Sequence, residues 1–261
     1  MNLLAVSGTG LPQSPTIITL INGHPFLEKW SDFLLLWEDV FFSLLIAALI
    51  SGLFYWGSKK REMIPTGLQN FFELLVENLR NVLRNILGED ADQHIAFLGT
   101  IFIYIFTMNI FSLIPFMKSP SSNLSISIGM SLCVFARVQY LNIKNMGLRG
   151  YIYHMCGSPN GLIGWMISPL MFFIEVLTQI SRPITLALRL TGNVMGEHIL
   201  VSIFALSSIA IFSLEALPIG LPVQLPAMLF GLVTSLMQAL VFTLLTTIYI
   251  LLSAPHKTEA H

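Results

Sequence analysis

Residues 161–214 form an apolar run of 54 residues that holds only four charged side chains, Glu175, Arg182, Arg189 and Glu197. As one helix it would be ~81 Å long, against a bilayer hydrocarbon core of ~30 Å. Such a run is either broken in two or strongly tilted and partly embedded in protein. Four further apolar runs lie at 40–56, 95–116, 123–136 and 227–253. The third is short, and spans only if Arg137 snorkels at its end. Charged residues make up 10% of the chain, against about 25% in soluble domains, which excludes a soluble enzyme or a nucleic-acid binder. The expectation is an all-α polytopic membrane protein with about five membrane-embedded helices. Two cysteines are too few for a disulfide framework. The first 15 residues lack the basic and apolar segments of a secretory signal peptide.

Lysines and arginines between the runs give an orientation. With five crossings and the N-terminus outside, the inner side receives Lys59, Lys60, Arg61, Arg80, Arg84, Arg137, Lys144, Arg149 and Lys257. The outer side receives only Lys29 and Lys118. This predicts an N-terminal outer-side segment, 1–33, followed by one membrane domain, 34–261, with the C-terminus inside. Residues 66–87 are different. Leu68, Phe71, Phe72, Leu75, Leu79, Val82, Leu83 and Ile86 recur at a helical period, with Glu73, Glu77, Arg80 and Arg84 on the other side. Gly88 suits the end of that helix. The segment is too polar to span, so it reads as an amphipathic helix in the inner interface. A docking helix for a partner subunit is compatible with that.

The long run carries its polar residues in order. Glu175, Gln179, Arg182, Thr185, Arg189, Asn193 and Glu197 are spaced 4, 3, 3, 4, 4 and 4, with His198 beside the last. The mean step of ~3.7 is close to the helical 3.6, so they form one stripe ~33 Å long. Each charge at the bilayer centre costs roughly 2.5–3.5 kcal/mol. A salt-bridge ladder is the bland account, with Glu175 answering Arg182 or Glu197 answering Arg189. The second pair is eight residues apart, ~12 Å along the axis, too far for a bridge. An ion pathway facing water, protein or both fits better. Pro183 supports it by removing one backbone donor and exposing a carbonyl. In the run 227–253, Gln238 either glues two helices together or orients Arg189 with water. Gly231 lies seven residues before it, nearly on the same face. Pro218, Pro222 and Pro226 read as marking the turn between the last two runs.

The segments SRPITLALRLTGNVMGEHIL (181–200) and LMQALVFTLLTTIYI (236–250) resemble subunit a of the F-type ATP synthases. TMNIFSLIPF (107–116) and SSNLSISIGMSL (121–132) add to the likeness, which covers roughly 34–254. The resemblance implies a long tilted hairpin made of channel helices 161–214 and 227–253. It implies a non-catalytic, proton-translocating subunit of an ATPase complex, working without a cofactor or bound metal. Its partners would be a rotating ring of c subunits, peripheral-stalk b subunits, the soluble ATPase head and the lipid bilayer. Arg189 matches the family's essential arginine. Asn109, Ser112, Asn193, Glu197, His198 and Gln238 match the inlet half-channel, and Glu175 the exit half-channel. Gln179, Arg182, Thr185 and Gly231 would support the stripe.

The departures from the pattern are informative. Many members have an aspartate where Ser112 stands, and pair an acid in the Arg189 helix with a histidine or glutamate where Gly231 stands. Here Glu197 and His198 are adjacent on one helix, so the titratable groups have moved rather than vanished. A bacterial inner membrane is the favoured location over an organelle. A secondary transporter would more often show internal repeats, and none is visible. An intramembrane hydrolase would need a nucleophile or metal set, and HExxH and GxSxG are absent from the sequence.

Overall fold

The computed structural model describes residues 5–6, 12–13, 37–59, 67–114, 119–157, 161–212 and 224–253. Pro218, Pro222, Lys29, Lys60, Arg61, Lys118 and Lys257 lie outside them. So does the segment 1–33, save for two two-residue strands, β1 (Ala5–Val6) and β2 (Pro12–Gln13), paired antiparallel. Everything else that is regular is helical. Helix α1 spans Glu38–Ser58 and α2 Leu68–Leu87. Gly88, at φ +64°, ends α2 in a conformation that side chains resist. Helix α3 spans Ala91–Phe111, and a short 3-10 turn, Pro120–Ser122, leads into α4 at Leu124–Met155. Helix α5 spans Gly161–Phe212 and α6 spans Gln224–Ser253. Five of these helices, all but α2, are long and apolar enough to cross a membrane. The chain is therefore an all-α polytopic membrane protein.

Two expectations are corrected and one open alternative is decided. The run 123–136 does not stop at Arg137. Helix α4 continues to Met155, because Arg137 lies over the rings of Phe97 and Tyr140, 5.7 and 5.9 Å from their centroids. It is bent only at Gly147, whose φ of 70° and ψ of 161° are non-helical. Of the two alternatives for 161–214, the unbroken one holds: 52 residues run as one helix through Pro169 and Pro183. Its candidate span of 39 residues, Met166–Phe204, is ~58 Å long and fits a ~30 Å core only at a tilt of about 60°. Pro226 is not in a turn but in the first turn of α6, where its missing N–H would have had no helical partner anyway.

The helices pack around one apolar core. Leu83 of α2, Leu98 and Ile105 of α3, Leu190 of α5 and Phe242 of α6 are fully buried in it. Helix α2 is thus no mere surface float: Leu79, Leu83 and Leu87 are buried, while Phe71 and Leu74 face outward. Its Arg80 and Arg84 both bridge Asp92 at 2.8 Å, tying α2 to the start of α3. Three buried threonines of α6 bond within their own helix. Thr243, Thr246 and Thr247 donate to the carbonyls of Ala239, Phe242 and Thr243. Gln238 of α6, by contrast, reaches outside its own helix, to Asn193.

Candidate ion-translocation site

The polar stripe of α5 meets two separate polar networks, one at each end. Buried positions along α5 include Gln179, Leu186, Leu190, Val194 and Glu197. The middle of the stripe, Thr185, Arg189 and Asn193, lies one residue to the side of that buried ridge and is exposed. A step of one residue turns ~100° around a helix, enough to carry a side chain from the packed face to its rim.

At the C-terminal end of the stripe, Glu197 is buried and the Ser112 hydroxyl donates to its Oε1 at 2.8 Å. The same hydroxyl lies 2.6 Å from the Asn109 carbonyl. Asn109 is itself buried, and its Oδ1 accepts from Ser121 at 3.0 Å. Ser121 in turn lies 2.7 Å from Ser119. The end of α3 and the 3-10 turn thus meet α5 through hydroxyls and one carboxyl. Gly231 of α6 faces that carboxyl: a Cβ there would stand 2.8 Å from Glu197 Oε1 and 2.8 Å from Leu113. The missing side chain is the space that Glu197 occupies. His198 is half-buried beside it, and its carbonyl accepts from Ser202. Near this end Asn123 donates to Asp39 at 2.6 Å, joining α4 to α1.

One turn below Glu197, Asn193 donates to Gln238 Oε1 at 2.6 Å. Of the two roles open to Gln238, the observed bond is the one that joins α5 to α6 through Asn193; among the described residues it makes no hydrogen bond to Arg189. Among the described residues Arg189 has no hydrogen bond and no ion pair. It stands on the outer face with exposed Leu188 and Met195, and with Gly192 and Gly196, beside which there is open space.

At the N-terminal end the partners come from α4. Gln139 donates to Gln179 Oε1, and the Tyr151 hydroxyl lies 2.6 Å from Gln139 Oε1 and 2.7 Å from Gln179 Oε1. The Gln179 amide nitrogen faces Glu175 at 3.4 Å. The Glu175–Arg182 bridge of the bland account is not formed. Arg182 instead lies over the ring of Tyr249, 4.9 Å from its centroid. Gln139, Gln179, Arg182 and Tyr249 line a cavity of about 20 Å³, room for about one water. Sequence reasoning found neither Gln139 nor Tyr151, nor the serines of the 3-10 turn. Gln139 sits in a polar stretch of α4 with no period, and Tyr151 reaches it only across the Gly147 bend. Among the described residues no group of three or more His, Cys, Asp and Glu is placed to hold a metal ion.

This arrangement of charge along a tilted hairpin can be compared with known proteins. The family described as ATP synthase A chain matches residues 40–251. The chain belongs to that family. It is 49% identical over 249 residues to ATP synthase subunit a of Protochlamydia amoebophila (strain UWE25), covering 95% of this chain and 92% of that one. It is 37% identical over 167 residues to ATP synthase subunit a 3 of Pelobacter propionicus, covering 64% and 70%. A third relative, ATP synthase subunit a of Solidesulfovibrio magneticus, is 39% identical over 153 residues, covering 58% and 62%. As an ATP synthase A chain, the protein is an integral component of the membrane sector with a part in proton translocation.

Proposed function

We propose that this chain passes protons between two offset half-channels at the surface of a rotating c-ring, coupling proton flow to ATP synthesis or hydrolysis in the soluble head. The observation that carries the reading is Arg189, an exposed cation with no hydrogen bond or ion pair among the described residues, lying between two polar networks that are each packed inside the subunit. An uncompensated charge in a membrane costs several kcal/mol, roughly 2.5–3.5 on insertion scales, so a partner outside this chain is needed to answer it. A ring carboxylate fits. Arginine stays protonated even in an apolar site, and a fixed positive charge in low dielectric favours the ionised form of a carboxylate brought beside it. A ring carboxyl arriving protonated releases its proton near Arg189 and regains one from the other half-channel as rotation carries it past. The same charge repels a proton crossing directly. Open space beside Gly192 and Gly196 supports close approach of a ring helix.

In this reading Glu197, His198, Ser112, Asn109, Asn193 and Gln238 form the inlet and Glu175 the exit. The N-terminus lies outside and the C-terminus inside a bacterial inner membrane, with peripheral-stalk b subunits as further partners. Arg189→Ala tests it. ATP-driven proton pumping by inverted membrane vesicles should be lost, with the complex assembled on native gels. Arg189→Lys should also fail largely, because lysine is shorter, loses its proton when buried and lacks the planar fork. Near-normal pumping by an assembled Arg189→Ala complex would sink the proposal.

A further inference from the structure

We infer that Gln139 and Tyr151 of α4 are positioning residues that hold the Gln179 amide with its nitrogen towards Glu175, so that the exit carboxylate always meets a hydrogen-bond donor. The inference rests on the exit role proposed for Glu175. The argument is a count of donors. Gln139 is used at both ends: its nitrogen donates to Gln179 Oε1 and its oxygen takes the Tyr151 hydroxyl at 2.6 Å. Tyr151 has a single hydrogen and two carbonyl oxygens within reach, Gln139 Oε1 and Gln179 Oε1. One hydrogen of the Gln139 amide and the Tyr151 hydroxyl are thus both directed at the oxygens of Gln179 and Gln139. An amide has one oxygen and one nitrogen, so with its oxygen held by α4 Gln179 turns its nitrogen the other way. Glu175 stands there, one helical turn earlier, at 3.4 Å.

Burial gives this choice weight. Gln179 is 9% exposed and the cavity beside it has room for about one water, so a wrong orientation would leave most of the amide's hydrogen bonds unmade. Were its oxygen turned to Glu175, two acceptors would face each other, and only a protonated carboxyl could bridge them. The backbone supports the same reading. Gly147, at φ 70°, bends α4 so that Tyr151 returns to Gln139, twelve residues before it. The water-sized cavity beside Gln139 and Gln179 is also lined by Arg182, giving the network a route to the middle of the stripe.

The test is Gln139→Met and Tyr151→Phe, each alone and each combined with Glu175→Gln, in the complete ATP synthase. The measurement is passive proton conduction through membranes stripped of the soluble head, with assembly followed on native gels. Each single variant should conduct about tenfold more slowly, the size expected for one hydrogen bond to a charged group. In the Glu175→Gln background neither should cause a further loss, because both act through that carboxylate. A merely structural role predicts equal losses in both backgrounds, and that result would overturn the inference. So would normal conduction in both single variants while Glu175→Gln is impaired. Normal conduction by Glu175→Gln itself would instead overturn the exit role, a distinct result.

Discussion

Gly231 shows how one absent side chain makes room for Glu197. Its Cβ position is 2.8 Å from both Glu197 Oε1 and Leu113, closer than real Cβ atoms approach other atoms, and 3.0 Å from Glu197 Cδ, so the neighbouring side chains would have to shift. The family pattern read from sequence put a titratable group on each of two helices. Here one helix keeps the carboxyl and the other makes room for it. Gly231→Ala should push Glu197 off the Ser112 hydroxyl at a cost of ~1–3 kcal/mol, typical of overpacking. Proton pumping should fall about tenfold for each 1.4 kcal/mol that reaches the transfer step. Adding Glu197→Asp, whose carboxyl is one carbon shorter, should recover part of the rate. If the double variant pumps no better than Gly231→Ala alone, the space argument fails. Glu197 was legible in the sequence as an isolated acid on a polar stripe. Its hold by Ser112 was not, because the two are 85 residues apart and no local pattern links them.

Elements were more legible than their contacts. Apolar runs against the membrane thickness gave five spanning helices, and the helical period gave α2, because both signals are local. Packing was less visible. The apolar face of α2 suits a lipid interface equally well, yet Leu83 is fully buried among α3 and α6 side chains while Leu74 is 55% exposed. Leu83→Ala should therefore cost ~2–5 kcal/mol, as for other core leucines, and Leu74→Ala little. Thermal loss of the assembled complex in detergent checks this, and equal effects at the two positions would return α2 to the interface alone. Gly147 gives a second test. A side chain at φ 70° and ψ 161° is strained by ~1–3 kcal/mol, so Gly147→Ala should straighten α4 and draw Tyr151 from Gln139. Reduced proton conduction with spans intact is expected, matching Tyr151→Phe. The sequence hid this bend because one glycine in a polar helical stretch reads equally well as a tolerated residue.

Across the whole molecule, the two polar networks belong to opposite ends of the bundle. Glu197 is held by Ser112 at the C-terminal end of α3, Glu175 faces Gln179, which Gln139 and Tyr151 of α4 hold, and Arg137 lies near the start of α3. Basic residues Lys59, Arg80 and Arg84 share the end where α3 begins, while Asp39 bonds Asn123 at the other. One tilted helix thus passes from the basic end to the acidic end with Arg189 exposed between. A continuous pore along that stripe would short-circuit the membrane potential, worth about 2.3 kcal/mol per proton at 100 mV. Two half-channels avoid this only if each opens to one side. In a chain with Cys133 and Cys156 replaced by serine, Glu175→Cys and Glu197→Cys make that separately measurable. Silver ions added to sealed vesicles of known orientation should block the first from the side bearing the basic end and the second from the opposite side. Thirteen of the residues between 175 and 197 precede Arg189 and seven follow it, ~21 and ~12 Å from the arginine to the two acids along the axis. That spacing leaves each acid nearer its own surface than the other's. Reaction of both cysteines from one side would mean a single path past Arg189, and the offset geometry would have to be abandoned.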